Sequence, residues 1–212
     1  MNKHIYYALI LVLFSCHNNS STDETSHQEE IILSKEQKII NLYTTSVIPL
    51  FAEYKEVVIP TDFVIDENDL GINAGAAFGY VEISMGLVNV SKESVQLFAL
   101  SHEVAHIVTL SQAKLFNYQS SIPKGTLTND YKKAEYLADL IAIYLIKIHQ
   151  PEHFESLLSN FKYLESLLGV STFTHPSGTE RINAINEYLA LSKETNSTVA
   201  FKEMYAKFWN MD

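Results

Sequence analysis

Apolar positions along the chain recur at two spacings, and the changes between them outline the elements. Ile31, Ile32, Leu33, Ile39, Ile40, Leu42, Tyr43 and Val47 fit an amphipathic helix that ends before Pro49. Two short runs, Phe63–Asp66 and Phe78–Ser84, are β-branched or aromatic, bounded by Gly, Asp and Asn, and read as strands. Between them Asn73–Ala77 is small and Gly-rich, suited to close approach of another backbone. A long helix is predicted from an N-cap near Ser91 through Ser111. A second is predicted from Asp130 to His149, stopping before Pro151. Ser177 and Glu180 form a capping-box pattern that opens a third through Ile182, Ile185 and Leu189. The predicted class is α+β, mainly helical. No internal repeat is present.

The first thirty residues break this pattern. Lys3 precedes an apolar stretch, Ile5–Phe14, which is about half the roughly 20 residues a membrane span requires and matches an export signal. Leu13-Phe14-Ser15-Cys16 resembles a bacterial lipobox, so residues 1–15 are expected to be a signal peptide and Cys16, the only cysteine, to be lipidated. Residues 16–30 are polar and acidic and read as a tether, with His17 and His27 as solvated bystanders. As a random coil such a segment spans on the order of 20 Å. The expected domain is therefore 31–212. The implied location is the bacterial cell envelope. His17 rather than Asp after the cysteine favours an outer-membrane lipoprotein facing the periplasm.

Composition narrows the function further. The chain has 212 residues, 47% of them hydrophobic, enough for one domain with a real core. A formal charge of -10 repels phosphate backbones, so no nucleic-acid partner is expected. One cysteine excludes an internal disulfide.

The chemistry concentrates in the two long helices. His102-Glu103-Val104-Ala105-His106 is an HExxH pattern, with a chance expectation of about 0.025 in a chain of this histidine and glutamate content. Residues i and i+4 share a helix face, so His102 and His106 are expected to hold one Zn²⁺ while Glu103 works the water. A catalytic zinc site takes three protein ligands, so a third must exist. Glu135 and Asp139 lie one turn apart on an otherwise apolar helix, where bare carboxylates would cost several kcal/mol. Glu135 is the expected third ligand; Asp139 is expected to accept the outer N–H of a ligating histidine. His149 and His153 share the i, i+4 spacing, but Pro151 between them interrupts the helix and assigns them to a surface turn. Leu140–Ile146, bounded by Asp139 and Lys147, is too short to span a bilayer and reads as core.

Four segments in order, Asn73–Leu87, His102–His106, Glu135–Asp139 and Thr174-His-Pro-Ser-Gly-Thr-Glu-Arg-Ile182, resemble the zinc peptidases that include the heat-shock membrane peptidase HtpX and the CaaX prenyl endopeptidases, with their soluble and lipoprotein periplasmic members. The resemblance covers roughly Thr61–Leu189 and implies a zincin-like domain whose small sheet presents an edge strand along the cleft. It implies His175 near the metal, either stabilising the oxyanion or acting as a silencing fourth ligand, and Arg181 bracing Asp139 or another carboxylate behind the ligands. The expected activity is zinc-dependent endoproteolysis of misfolded or misassembled envelope proteins, with the polypeptide extended along Phe78–Ser84. The competing expectation is a latched or non-hydrolytic envelope assembly factor on the same scaffold.

Overall fold

The structure is a computed structural model and describes residues 32–77 and 79–212. The signal peptide, Cys16 and the tether lie outside the described residues. Leu33–Asp212 form one compact unit, beginning two residues after the expected boundary.

The chain enters through α1 (Lys35–Leu42), a π-helical turn (Tyr43–Val47) and α2 (Ile48–Leu50). Ser34 caps α1 with a capping box to Gln37, so the helix starts later than the apolar run suggests. Pro49 does not end it: the proline sits in the first turn of α2, where its missing N–H is no loss.

Three strands follow, β1 (Asp62–Asp66), β2 (Ala74–Ala77) and β3 (Tyr80–Ser84), in the order β1-β3-β2. β1 runs parallel to β3, with Asp62 opposite Tyr80. β2 runs antiparallel to it, with Ala74 opposite Ile83. Val81 and Ile83 point into the core while Tyr80 and Glu82 face outward, the alternation of a sheet covered on one face. This order corrects the expected position of the edge. The strand predicted at Phe78–Ser84 is central and its backbone is already paired on both sides; Phe78 itself lies outside the described residues. The free edge beside the helices belongs to β2, a run of alanine and glycine with little intrinsic strand preference that pairing with β3 imposes.

The remainder is helical: α3 (Met85–Val88), α4 (Glu93–Leu115), α5 (Asp130–His149), α6 (Pro151–Ser159), α7 (Phe161–Leu168), α8 (Gly178–Glu194) and α9 (Ser197–Trp209). Lys92, not Ser91, occupies the N-cap of α4, without a side-chain cap. Asn129 caps α5, accepting from the Lys132 amide. The α4 and α5 helices are buried nearly all round and pack on each other at the centre, with α6, α8, α9 and the sheet around them. Ala105, Ala138 and Ala142 are fully buried, as small residues must be where helices come close. Leu140, Ile141, Ile143 and Ile146 are core, as expected. Behind them α9 contributes Phe201, Tyr205, Phe208 and Trp209 to an aromatic layer, and the Tyr205 hydroxyl ties it to α4 by donating to the Thr109 carbonyl at 2.7 Å. Among the described residues no helix is long and apolar enough to cross a membrane.

Candidate metal centre

Three helices and one loop converge on a single point. The α4 helix supplies His102, Glu103 and His106, and α5 supplies Glu135 and Asp139. Arg181 comes from α8 and His175 from the loop before it. One turn of α4 brings the two imidazoles together, their Nε2 atoms 3.0 Å apart. Glu135 reaches both: Oε1 lies 3.2 Å from His106 Nε2, and Oε2 lies 3.4 Å from His102 Nε2. His102 and Glu135 are buried, and His106 keeps about a quarter of its side chain exposed (28%). These three side chains can hold a metal ion.

Behind the trio lies a second, fully buried layer. Asp139 Oδ1 sits 2.9 Å from His102 Nδ1 and accepts its N–H, so Nε2 is the nitrogen turned toward Glu135 and His106. Arg181 grips Asp139 with two bonds, Nε to Oδ2 at 2.7 Å and Nη2 to Oδ1 at 2.6 Å. Its Nη1 stands 3.0 Å from Glu135 Oε2, an ion-pair distance at which no N–H is aimed at the oxygen, so Oε2 accepts no hydrogen bond.

No family model, curated protein or solved structure matches this chain.

The electrostatics run in one direction. Burial pushes Glu135 upward, but contacts with His102 and His106 and the charge of Arg181 hold it far below the usual carboxylate range. Asp139, also pushed up by burial, is held low by Arg181 and His102. For His102, burial and Arg181 oppose protonation, yet Asp139 and Glu135 outweigh them and raise its pKa to about 9. With His102 deprotonated, as metal ligation requires, Glu103, Glu135 and Asp139 against a single guanidinium leave a formal excess of two negative charges in a largely buried site. A divalent cation matches that excess.

His175 is half exposed, and its Nε2 lies 3.7 Å from Glu135 Oε1. The loop holds it there: Nδ1 is 2.7 Å from Thr174 Oγ1, and its amide donates to Thr172 Oγ1 at 3.0 Å. Arg181 braces Asp139 and also stands beside Glu135, a candidate ligand, where the sequence reading offered it a single carboxylate behind the ligands. His149 and His153 do not share the expected surface turn, because Pro151 opens a new helix between them. His149 closes α5, while His153 sits in α6, 3.0 Å from Glu93.

The site opens into a cavity of about 220 Å³ whose wall includes His102, Glu103, His106, Glu135 and His175, with Asn73 and Ala74 at the start of β2. The sequence reading did not foresee that Leu164, Leu167 and Leu168 of α7 also line it. The signal was present in the i, i+3, i+4 spacing of those leucines, but nothing local says which cavity such a stripe faces.

Proposed function

We propose that this chain is a zinc-dependent endopeptidase of the bacterial cell envelope, a lipid-anchored relative of the peptidases that include HtpX and the CaaX prenyl endopeptidases, with a zincin-like domain. The observation that carries the reading is the spacing of the three candidate ligands. Four-coordinate zinc with bonds of about 2.0–2.1 Å sets its ligand atoms about 3.3 Å apart. Here the two Nε2 atoms are 3.0 Å apart, and each has one Glu135 carboxylate oxygen near that distance, Oε1 at 3.2 Å from His106 and Oε2 at 3.4 Å from His102. The donor set, two imidazoles and one carboxylate, is that of a catalytic zinc site with one position left for water. Glu135 Oε2 is buried beside the Arg181 guanidinium but accepts no hydrogen bond, so its lone pairs remain for a metal.

Zinc bound here would polarise the scissile carbonyl and lower the pKa of a water molecule toward about 7. The chain's own residues do the rest. Glu103, on the cavity wall beside the histidines, takes the proton from the attacking water and delivers it to the leaving amine. Asp139 keeps the His102 ring in the tautomer that offers Nε2, and Arg181 keeps Asp139 in place. An extended polypeptide adds to the free edge of β2, whose first residue borders the cavity, so recognition uses backbone more than side chains. The substrates that suit such an edge are unfolded segments of misassembled envelope proteins, and the acyl group on Cys16 keeps the domain at the membrane. The deciding experiment pairs zinc analysis with Glu103→Gln. One zinc per chain in both proteins, with cleavage of an unfolded substrate abolished in the variant, supports the reading. Wild-type activity in the variant sinks it.

The place of His175 favours a second reading. Its ring lies 3.7 Å from Glu135 Oε1 at the mouth of the site, close enough to cap the centre and hold it silent. His175→Ala separates the two: a rise in cleavage means a latch, a loss means a role in the reaction.

A further inference from the structure

The cavity at the candidate centre extends well beyond the ligands. From the histidines it passes along α4 and α7, where its apolar wall includes Leu87, Val95, Phe98, Leu164, Leu167 and Leu168. The apolar wall begins close to the chemistry, the Phe98 ring centroid lying 6.4 Å from that of His102. Leu87, Val95, Phe98 and Leu164 are each 3% exposed or less, so this wall is part of the core and keeps its shape. An apolar cavity of about 150 Å³ is enough to hold benzene. At about 220 Å³, polar end included, this one has room for a single ring-sized or branched aliphatic group.

A second cavity, about 360 Å³, shares only His106 with the first. Thr109, Ser120, Ser121 and Asp130 line it together with Leu110 and Ile122, so it mixes hydroxyls and a carboxylate with apolar side chains. Along α4 the first cavity touches Val95 to His106, and the second continues from His106 to Leu110.

We propose that the apolar cavity selects one bulky hydrophobic side chain, of leucine or phenylalanine size, next to the bond that is cut. The cutting rests on the peptidase reading above; the selection rests on the cavity alone. Glycine and alanine leave the cavity unfilled, and one methylene in such a pocket changes discrimination by about tenfold or more. A carboxylate seated against the apolar wall would have no donor there, and Arg181, which also lines the cavity, already faces Asp139 and Glu135.

The test uses zinc-loaded protein and a set of fluorescent peptides identical except at one position, filled by Gly, Ala, Leu, Phe or Glu. Binding is read by anisotropy on Glu103→Gln and cleavage by mass spectrometry on the wild type. Leu and Phe peptides should bind about tenfold or more tightly than Gly and Ala peptides, with Glu weakest, and the cut should fall beside the Leu or Phe. Ala99, half-buried on the same wall, provides the control. Ala99→Trp should fill the space and narrow the gap between Phe and Gly peptides by about tenfold. If circular dichroism shows that variant unfolded, Leu167→Lys replaces it and should narrow the gap between Phe and Glu peptides. Selective binding without cleavage upholds the pocket and defeats the peptidase reading. Cleavage that ignores the varied position overturns the pocket and leaves the peptidase reading intact. Absence of both binding and cleavage overturns both.

Discussion

Arg181 holds Asp139 through a two-pronged grip, Nε on Oδ2 and Nη2 on Oδ1, with both partners at most 5% exposed. The pair sits behind His102 and joins α8 to α5 where the candidate ligands meet. Removing one partner strands a buried charge. Arg181→Met should therefore lower unfolding free energy by about 3–5 kcal/mol, read by urea denaturation of the metal-free protein. The double variant Arg181→Met/Asp139→Leu should recover a substantial part of the loss. If the double variant is as unstable as the sum of the two single ones, the grip is not a coupled unit.

Asp139→Asn tests a different property of the same residue. An amide can still occupy the space beside His102, but it no longer enforces the Nδ1–H tautomer. Zinc affinity should fall by about 10–100-fold, measured by competition with a chromophoric chelator, while far-ultraviolet dichroism stays as in the wild type. An unchanged affinity would detach Asp139 from the centre.

Zinc should also stabilise the fold, because the three donors converge only when α4 and α5 are packed. A ligand present at 1,000 times its dissociation constant contributes about 4 kcal/mol. Zinc should raise Tm and a strong chelator should reverse it. In His106→Ala and Glu135→Ala the zinc-dependent part of the shift should vanish. A shift that survives both substitutions would place the bound ion elsewhere.

What the sequence disclosed, and what it hid, follows from the range of the interactions involved. His102, His106 and Glu103 were legible because helical period alone puts the histidines on one face. Glu135 and Asp139 were legible because carboxylates in an apolar helix demand a partner. That Arg181 would brace Asp139 came only with the family resemblance, since the contact spans 42 positions and no local pattern encodes it. The sheet shows the same limit. β3 announced itself through Val81 and Ile83, but its central place is a matter of pairing between separate segments. β2, made of alanine and glycine, carried no strand signal, and it proved to be the free edge beside the site.

The start of α8 gives a pH test. The Glu180 carboxylate accepts from the amide and the hydroxyl of Ser177, both at 2.7 Å, and these bonds hold its pKa below 4.5. A depressed folded value means the unfolded chain takes up the proton first. The contribution is therefore complete above about pH 4.5 and is lost as pH falls through the folded value. In Glu180→Gln the Ser177 bonds persist without a titrating group. Denaturation between pH 7 and pH 3 should show a smaller acid loss in the variant than in the wild type, and equal losses would remove the capping box from the acid response.

The same turn depends on a missing side chain. A Cβ on Gly178 would lie 2.1 Å from the Glu165 carbonyl oxygen and 3.1 Å from Leu168 Cβ. The first atom is backbone, so no rotamer change relieves the clash, and α8 must move away from α7. Overpacking of this kind costs about 1–3 kcal/mol, so Gly178→Ala should lower Tm. Its second effect distinguishes it from an ordinary core lesion. Arg181 lies one turn along α8, and Leu168 lines the cavity, so a shift of α8 displaces both the brace behind Asp139 and the apolar wall. Zinc affinity of the folded Gly178→Ala protein should fall along with its stability. Gly75→Ala, where a Cβ meets nothing within 4 Å, should leave zinc affinity unchanged. Loss of stability in Gly178→Ala with wild-type zinc affinity would show that α8 can move without carrying the centre with it.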